Sequence, residues 1–224
     1  MPDDHARQTL ADRYAELELG RPAQRPWGVL DLGCGAGGSI DVFRARDPAV
    51  QWVGLDVPGS PEAATRSRTD ARFETFDGIS IPFDDDAFDL VYCKQVLEHV
   101  RHPEPLLAEV ARVLRPGGWF AGSTSQLEPY HSFSLWNYTP VGFLAMLDHA
   151  GLAPIELRPG IDGLTLIAWR LAGNHRYFHR WWGRESPLNR VLNAAGRVVK
   201  ADARTLNATK LLFCGQFAFV ARAT

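Results

Sequence analysis

Chemistry-bearing residues gather first around Val29-Leu30-Asp31-Leu32-Gly33-Cys34-Gly35-Ala36-Gly37-Gly38. An apolar run feeds a turn with almost no side-chain bulk, so a ligand can approach the backbone closely there. Gly33, Gly35 and Gly38 satisfy the G-x-G-x-x-G spacing of dinucleotide sites, a weak signal alone. Asp56 ends the next apolar run, placed to accept hydrogen bonds from ribose hydroxyls. A nicotinamide dinucleotide and an adenosyl cofactor both carry that ribose, so Asp56 does not separate them. Asp31 does. A carboxylate just before the first glycine repels a pyrophosphate and favours a ligand with a sulfonium and an ammonium. The other reading of Asp31 is a cap on the N–H groups of the turn.

The elements that position these residues alternate. Asp3 to Leu19 reads as a polar amphipathic helix, broken by Gly20 to Pro26. Strands are expected at 27–32, 51–57, 71–76, 88–93 and 119–123. Helices are expected at 39–46, 105–114 and 139–149, the last with Thr139 as cap and Pro140 at its first position. Gly163 to Leu171 and Phe213 to Ala221 read as two late strands. Asp84-Asp85-Asp86 is a solvated acidic turn. Such alternation implies a mostly parallel sheet covered on both faces.

Four stretches belong together. The first is Val29 to Gly38. The second is Phe76-Asp77-Gly78 followed by Ile81-Pro82-Phe83. The third is Phe88-Asp89-Leu90-Val91-Tyr92-Cys93 through Val96-Leu97-Glu98-His99-Val100. The last is Arg112-Val113-Leu114-Arg115-Pro116-Gly117-Gly118. In this order they resemble class I S-adenosylmethionine-dependent methyltransferases. The nearest type is the small-molecule group that includes the ubiquinone and menaquinone biosynthetic enzymes. The resemblance implies an α/β fold with a doubly wound, seven-stranded, Rossmann-like sheet, its last strand antiparallel. It implies S-adenosyl-L-methionine as cofactor. On its pattern Gly33, Gly35 and Gly37 line the methionine part, with Asp31 near the ammonium. Asp56 holds the ribose and Val57 flanks the adenine. Asp77 accepts from the adenine amino group, with Gly78 alongside. The backbone at Cys93 and Lys94 touches the methionine end, and His99 closes the floor. Val57-Pro58-Gly59-Ser60-Pro61 departs from the family in its rigidity.

Methyl transfer from a sulfonium is an in-line displacement, so the protein mainly aligns and desolvates the partners. An oxygen or nitrogen acceptor can also need its proton removed. Three loops offer titratable groups: Lys94 to His102, Ser123 to Tyr138, and the one near Asp162. His131 is the candidate catalytic base, since imidazole titrates near neutrality; the alternative is a hydrogen bond within an ordered loop. His102 reads as a surface residue. Tyr130, Trp136 and Tyr138 are the candidate acceptor platform, against a loop that merely packs under the next helix.

The chain has 224 residues, 46% hydrophobic and 22% charged, with net charge -2. That is a globular composition, read as a single domain over 1–224, and no polycation for nucleic acid. Residues 1–100 carry 10 Lys and Arg against 18 Asp and Glu. Residues 174–210 carry 8 against 2, interleaved with Tyr177, Phe178, Trp181 and Trp182. This stretch reads as a basic, aromatic helical insertion between the last two strands. A lid, a peripheral membrane contact over 174–200 and a dimer contact stay open. Cys34, Cys93 and Cys214 form no disulfide framework and no zinc cluster, so no metal site is expected and a reducing cytoplasm is. No apolar run approaches the ~20 residues of a membrane span, and the start is no secretory signal. The expected function is transfer of a methyl group to an oxygen of a sugar, phenol or natural-product scaffold. Carbon methylation of a quinone-like or lipid-linked acceptor is the alternative. An NAD-dependent oxidoreductase and a catalytically silent binding protein are the alternatives of other classes.

Overall fold

The computed structural model describes residues 1–14 and 25–224. Seven strands form one sheet: β1 (Gly28–Leu32), β2 (Gln51–Asp56), β3 (Arg72–Thr75), β4 (Phe88–Lys94), β5 (Leu114–Ser125), β6 (Leu152–Pro159) and β7 (Gln216–Ala223). Their spatial order is β3-β2-β1-β4-β5-β7-β6. The first five pair in parallel, and β7 runs antiparallel to both β5 and β6. The order reverses beside β1, and such a switch point opens a crevice at the carboxyl ends of the strands.

Alternation along the strands makes two apolar faces. Leu30, Leu32, Val91, Phe120, Phe217 and Phe219 point one way. They meet Leu106, Leu107 and Val110 of α3 (Pro103–Val113) and Phe143 and Leu147 of α4 (Pro140–His149). Val29, Leu90, Tyr92 and Val220 point the other way, onto Ile40 and Phe43 of α1 (Ile40–Arg44). Thr139 caps α4 by accepting from the Gly142 N–H, as its sequence predicts.

Four expectations are corrected. Asp3 to Leu10 is not helical. Its backbone carbonyls are taken elsewhere: His5 O by Arg158 and Asn207, Ala6 O by Lys210. Residues 15–19 of the expected helix lie outside the described residues. Gly163 to Leu171 is a helix, α5, not a strand. Asp162 caps it, accepting at 2.7 Å from the Thr165 N–H. The sixth strand is instead Leu152–Pro159, whose Pro154 and Pro159 are tolerated on an edge strand. Arg115 to Gly118 lies within β5 as an irregularity between the Leu114 and Trp119 pairings, rather than in a turn before it.

The insertion between β6 and β7 holds α5, a 3₁₀ turn (Arg176–Trp181), α6 (Pro187–Val198) and α7 (Ala203–Phe213). It starts earlier than expected and carries no continuous basic stripe. The Arg180 guanidinium stacks 3.4 Å from the centre of the Tyr177 ring, and buried Lys210 pairs at 2.9 Å with Glu185.

Gly122 fixes how closely β4 and β5 approach. A Cβ there would lie 1.8 Å from the Cys93 carbonyl oxygen, and that oxygen is held in the sheet. Gly122→Ala therefore costs about 3 kcal/mol or more, lowering the thermal midpoint by roughly 6–12 °C. Differential scanning calorimetry checks this, and a shift under about 2 °C contradicts it.

Candidate active site

The crevice holds a cavity of about 1020 Å³. Its walls come from the glycine turn (Gly33, Gly35), from the end of β2 (Asp56, Val57), from Phe76 to Ile79, from Lys94 to Val96, from His99 to His102, and from His131 to Phe133. A second recess of about 650 Å³ adjoins it behind the glycine turn and includes Asp12, Asp31, Ser39, Tyr92 and Lys94.

The turn keeps its shape for local reasons. Gly33, Gly35 and Gly37 have φ of 72°, 51° and 80°, a region costly for residues with a Cβ. At Gly33 a Cβ would stand 2.3 Å from a Val96 methyl carbon. Gly37 lines neither cavity. It lets the turn pack on Phe73, whose ring lies 2.7 Å from where a Cβ would be. Asp56 accepts at 2.8 Å from the Gly35 N–H and at 2.8 Å from the Val57 N–H. Each carboxylate oxygen keeps a lone pair for a ligand hydroxyl.

Asp31 lies under the turn and accepts a hydrogen bond from the Ser39 hydroxyl. Burial pushes its pKa up to about 7, and the nearby Asp56 charge adds to that. The Ser39 hydroxyl, rather than a turn N–H, is its recorded hydrogen-bond partner. Asp77 accepts from the Ile79 and Ser80 N–H groups at 2.8 and 2.7 Å, which holds its carboxyl below the usual range. Val57 and Gly78 face each other: a Cβ on Gly78 would be 3.6 Å from a Val57 methyl carbon. The Val57-to-Pro61 link runs into a short helix, α2 (Pro61–Ala64), capped by Ser60. All of these link residues line the large cavity.

Lys94 borders both cavities and is ion-paired at 2.9 Å with Asp12. Cys93 borders neither. It is fully buried, burial pushes its thiol well above the ordinary range, and its carbonyl faces Gly122.

The loop after β5 is fastened to the turn after β4. The Glu98 carbonyl accepts from the Leu135 and Trp136 N–H groups, at 2.7 and 3.1 Å. The Trp136 indole donates to Val100 O at 2.8 Å, and the Tyr138 hydroxyl to Leu97 O at 2.9 Å. Beneath them the Glu98 carboxylate is fully buried and accepts from the Thr124 and Ser125 hydroxyls. The one Ser125 hydroxyl proton is shared between Glu98 and Glu128, whose carboxylate oxygen lies 2.7 Å from the Ser125 oxygen. Burial lifts the Glu98 pKa to about 7.

Tyr138 is buried in the core, and Trp136 uses its polar atom on the loop anchor. Tyr130 is 71% exposed. None of the three borders either cavity. Ser132 and Phe133 do border the larger one, both in the left-handed region (φ 40° and 61°). Strain of this kind gathers at functional sites.

His131 and His99 do face the cavity, with ring centres 5.3 Å apart. Burial lowers the His99 pKa, and His131 lowers it further. Arg101 and His102 edge the cavity from exposed positions, in keeping with the surface reading of His102. Asp12 and Glu62 were missed by sequence reasoning. Asp12 carried no local signal, because the N-terminal segment reaches the site only through the fold.

Residues 30–122 match the methyltransferase domain family. The matched segment spans 93 of the chain's 224 residues. Over 119 residues it is 36% identical to trans-aconitate 2-methyltransferase of Methylobacterium nodulans, covering 53% of this chain and 44% of that protein. Over 105 residues it is 32% identical to norajmaline N-methyltransferase of Rauvolfia serpentina, covering 43% and 35%. The chain thus spans less than half the length of these curated relatives. Its fold matches 1,6-didemethyltoxoflavin-N1-methyltransferase of Burkholderia thailandensis, solved with S-adenosylhomocysteine, at a TM-score of 0.57 and 18% identity. That likeness covers 96% of this chain and 78% of the other.

The cofactor that this likeness implies is S-adenosyl-L-methionine. The residues fit it: a backbone-walled turn, a free-edged Asp56, apolar Val57 and Ile79 for a purine, and a buried carboxyl at Asp31 ready for a cation. This fit has a pH signature. The folded state holds the Asp31 proton up to about pH 7, against 3.8 for an ordinary Asp. The fold's stability from this group is therefore full below about pH 4 and is lost as pH rises through about 7. A ligand ammonium favours the carboxylate, so binding below pH 7 releases a proton. Affinity for S-adenosylhomocysteine should rise roughly tenfold between about pH 6 and pH 7.5. Calorimetry in buffers of different ionisation enthalpy checks it, and Asp31→Asn should flatten the profile. An equal slope in that variant contradicts the assignment.

Proposed function

We propose that the protein transfers a methyl group from S-adenosyl-L-methionine to a small molecule, at a hydroxyl or phenol oxygen. The observation that carries this reading is the pair of imidazoles, His99 and His131, in the wall of the same cavity as Gly33, Asp56 and Asp77. Bound there, the cofactor supplies a methyl group on a positively charged sulfur, open to displacement by an acceptor lone pair.

The protein's own residues do the rest. Asp56 holds the ribose, Val57 and Gly78 flank the adenine, and Asp77 accepts from its amino group. Asp31 offsets the ammonium. His99 shapes the floor between the two ligands. Phe133 covers the acceptor and excludes water. His131 takes the acceptor's proton, which gives the oxygen the lone pair it needs to attack. The two curated relatives are named for a carboxylic acid and an alkaloid nitrogen, so the family's acceptors are small molecules of diverse chemistry.

The test is incubation with methyl-labelled cofactor and a panel of phenols, sugars, carboxylic acids and quinone-like lipids. Label in a phenol or sugar supports the reading; label only in carbon-bound methyl groups overturns the choice of oxygen.

One observation favours the second reading, a lipid-linked acceptor. Helix α6 exposes Val191 and Val198 (61% and 83%) beside Arg190 and Arg197. Such a face suits an anionic membrane surface. Co-sedimentation with anionic vesicles should then be strong at low salt and lost at high salt; no binding at low salt removes this reading. No helix among the described residues is long and apolar enough to cross a membrane.

A further inference from the structure

We propose that Glu98, His99 and His131 form a binding site for a divalent transition-metal ion, on the acceptor side of the cavity. One candidate ligand atom from each residue lies within 4.8 Å of the other two. Tetrahedral ligands at about 2.0–2.2 Å from an ion sit roughly 3.4 Å apart. Coordination therefore draws the three inward by about 1 Å, a rotation that two imidazole rings can supply.

The unused atoms point to the same place. Nδ1 of His99 and Nδ1 of His131 are both buried and have no hydrogen-bond partner. A buried polar atom without a partner costs about 1–3 kcal/mol, and here two such atoms belong to rings packed edge to face. Proton sharing between them would satisfy one pair at most. An ion can satisfy both.

The surroundings resemble the outer shell of a metal centre. Hydroxyls of Thr124 and Ser125 fix the Glu98 carboxylate. Glu128 is held by the Gln216 amide and stands 3.6 Å from the His131 Nδ1. It can orient that ring or enter as a fourth donor. Both histidines border the open cavity, so a ligand position faces the acceptor.

Two imidazoles and a carboxylate suit Zn²⁺ or its first-row neighbours better than Mg²⁺. The site rests on the methyl-transfer reading only for its purpose. There it changes the part His131 plays, from proton acceptor to ligand. An acceptor hydroxyl bound through oxygen to the ion loses its proton to solvent at lower pH. The oxygen then attacks with a free lone pair, and no oxidation or reduction is involved.

The experiment is equilibrium dialysis of the full chain, stripped with a chelator, against Zn²⁺ and separately against Mg²⁺, with metal counted by mass spectrometry. One zinc per chain is expected, with no retained magnesium. His99→Asn and His131→Asn should each weaken zinc at least about 100-fold, while His102→Asn should not. Co²⁺ in place of zinc should give the intense visible bands of a low-symmetry site, lost in the same two variants. No zinc on the wild-type chain, or equal zinc on both variants, overturns the site. Thermal shift with S-adenosylhomocysteine is read on the same samples. A shift without zinc overturns the metal site alone, and zinc without a shift overturns the methyl-transfer reading alone.

Discussion

Asp56→Ala should leave a folded protein that no longer holds the cofactor. In the structure the Asp56 carboxylate already receives the Gly35 and Val57 N–H groups, both at 2.8 Å. It is therefore oriented before any ligand arrives, and its remaining lone pairs are free for ribose hydroxyls. Hydrogen bonds to a charged group contribute about 1.5–3 kcal/mol each. Two of them set an affinity loss of roughly 10²–10⁴. Removing the carboxylate also frees the Gly35 N–H and loosens the turn, which acts in the same direction. Titration calorimetry with S-adenosylhomocysteine reads the loss, and circular dichroism confirms that the fold persists. An affinity within about threefold of wild type contradicts the ribose assignment.

His131→Gln should lower turnover by roughly 10²–10⁴ while cofactor affinity changes little. The imidazole borders the cavity, with the buried Glu128 carboxylate 3.6 Å from its Nδ1. Glutamine keeps similar bulk and polarity but neither accepts a proton near neutrality nor ligates an ion well. The loop itself should hold, because its anchors are the Leu135 and Trp136 N–H groups, the indole of Trp136 and the hydroxyl of Tyr138. A KM for cofactor that rises as far as kcat falls would place His131 among the cofactor contacts instead. Near-normal turnover would remove it from the chemistry.

The glycine turn and the end of β2 were legible in the sequence because their causes are local. Positive φ at Gly33, Gly35 and Gly37 demands glycine, and Asp56 lies where the second strand must end. The loop after β5 was legible in place but not in detail. Tyr138 and Trp136 have the types of a stacking platform, yet their polar atoms turn toward Leu97 and Val100. Which way an aromatic ring faces depends on the turn it packs against, and that turn is distant in sequence. The pair His99 and His131 is a contact across 32 positions, invisible to spacing.

The same distinction explains the fold. The run Gly163 to Leu171 is apolar enough for a strand, and its length of 9 residues fits either element. The deciding features are the Asp162 cap on Thr165 and the packing of α5 against α6, where the Leu188 N–H also reaches Asp162. Conversely, Pro154 and Pro159 hid β6, an edge strand that can lose ladder hydrogen bonds. At the start of the chain, helical periodicity in Asp3 to Leu10 was overridden by hydrogen bonds from Arg158, Asn207 and Lys210 to its backbone.

The central claim is that the glycine turn, Asp31, Asp56 and Asp77 together bind a sulfonium cofactor. A thermal shift with S-adenosyl-L-methionine, S-adenosylhomocysteine and NAD tests it most directly. At 100 times its dissociation constant a ligand stabilises by ~2.7 kcal/mol, which for a domain of this size is a rise of roughly 5–10 °C. Both sulfur ligands should raise the midpoint and NAD should not. A rise with NAD alone would contradict the reading of Asp31, and no rise with any of the three would contradict the cofactor site itself.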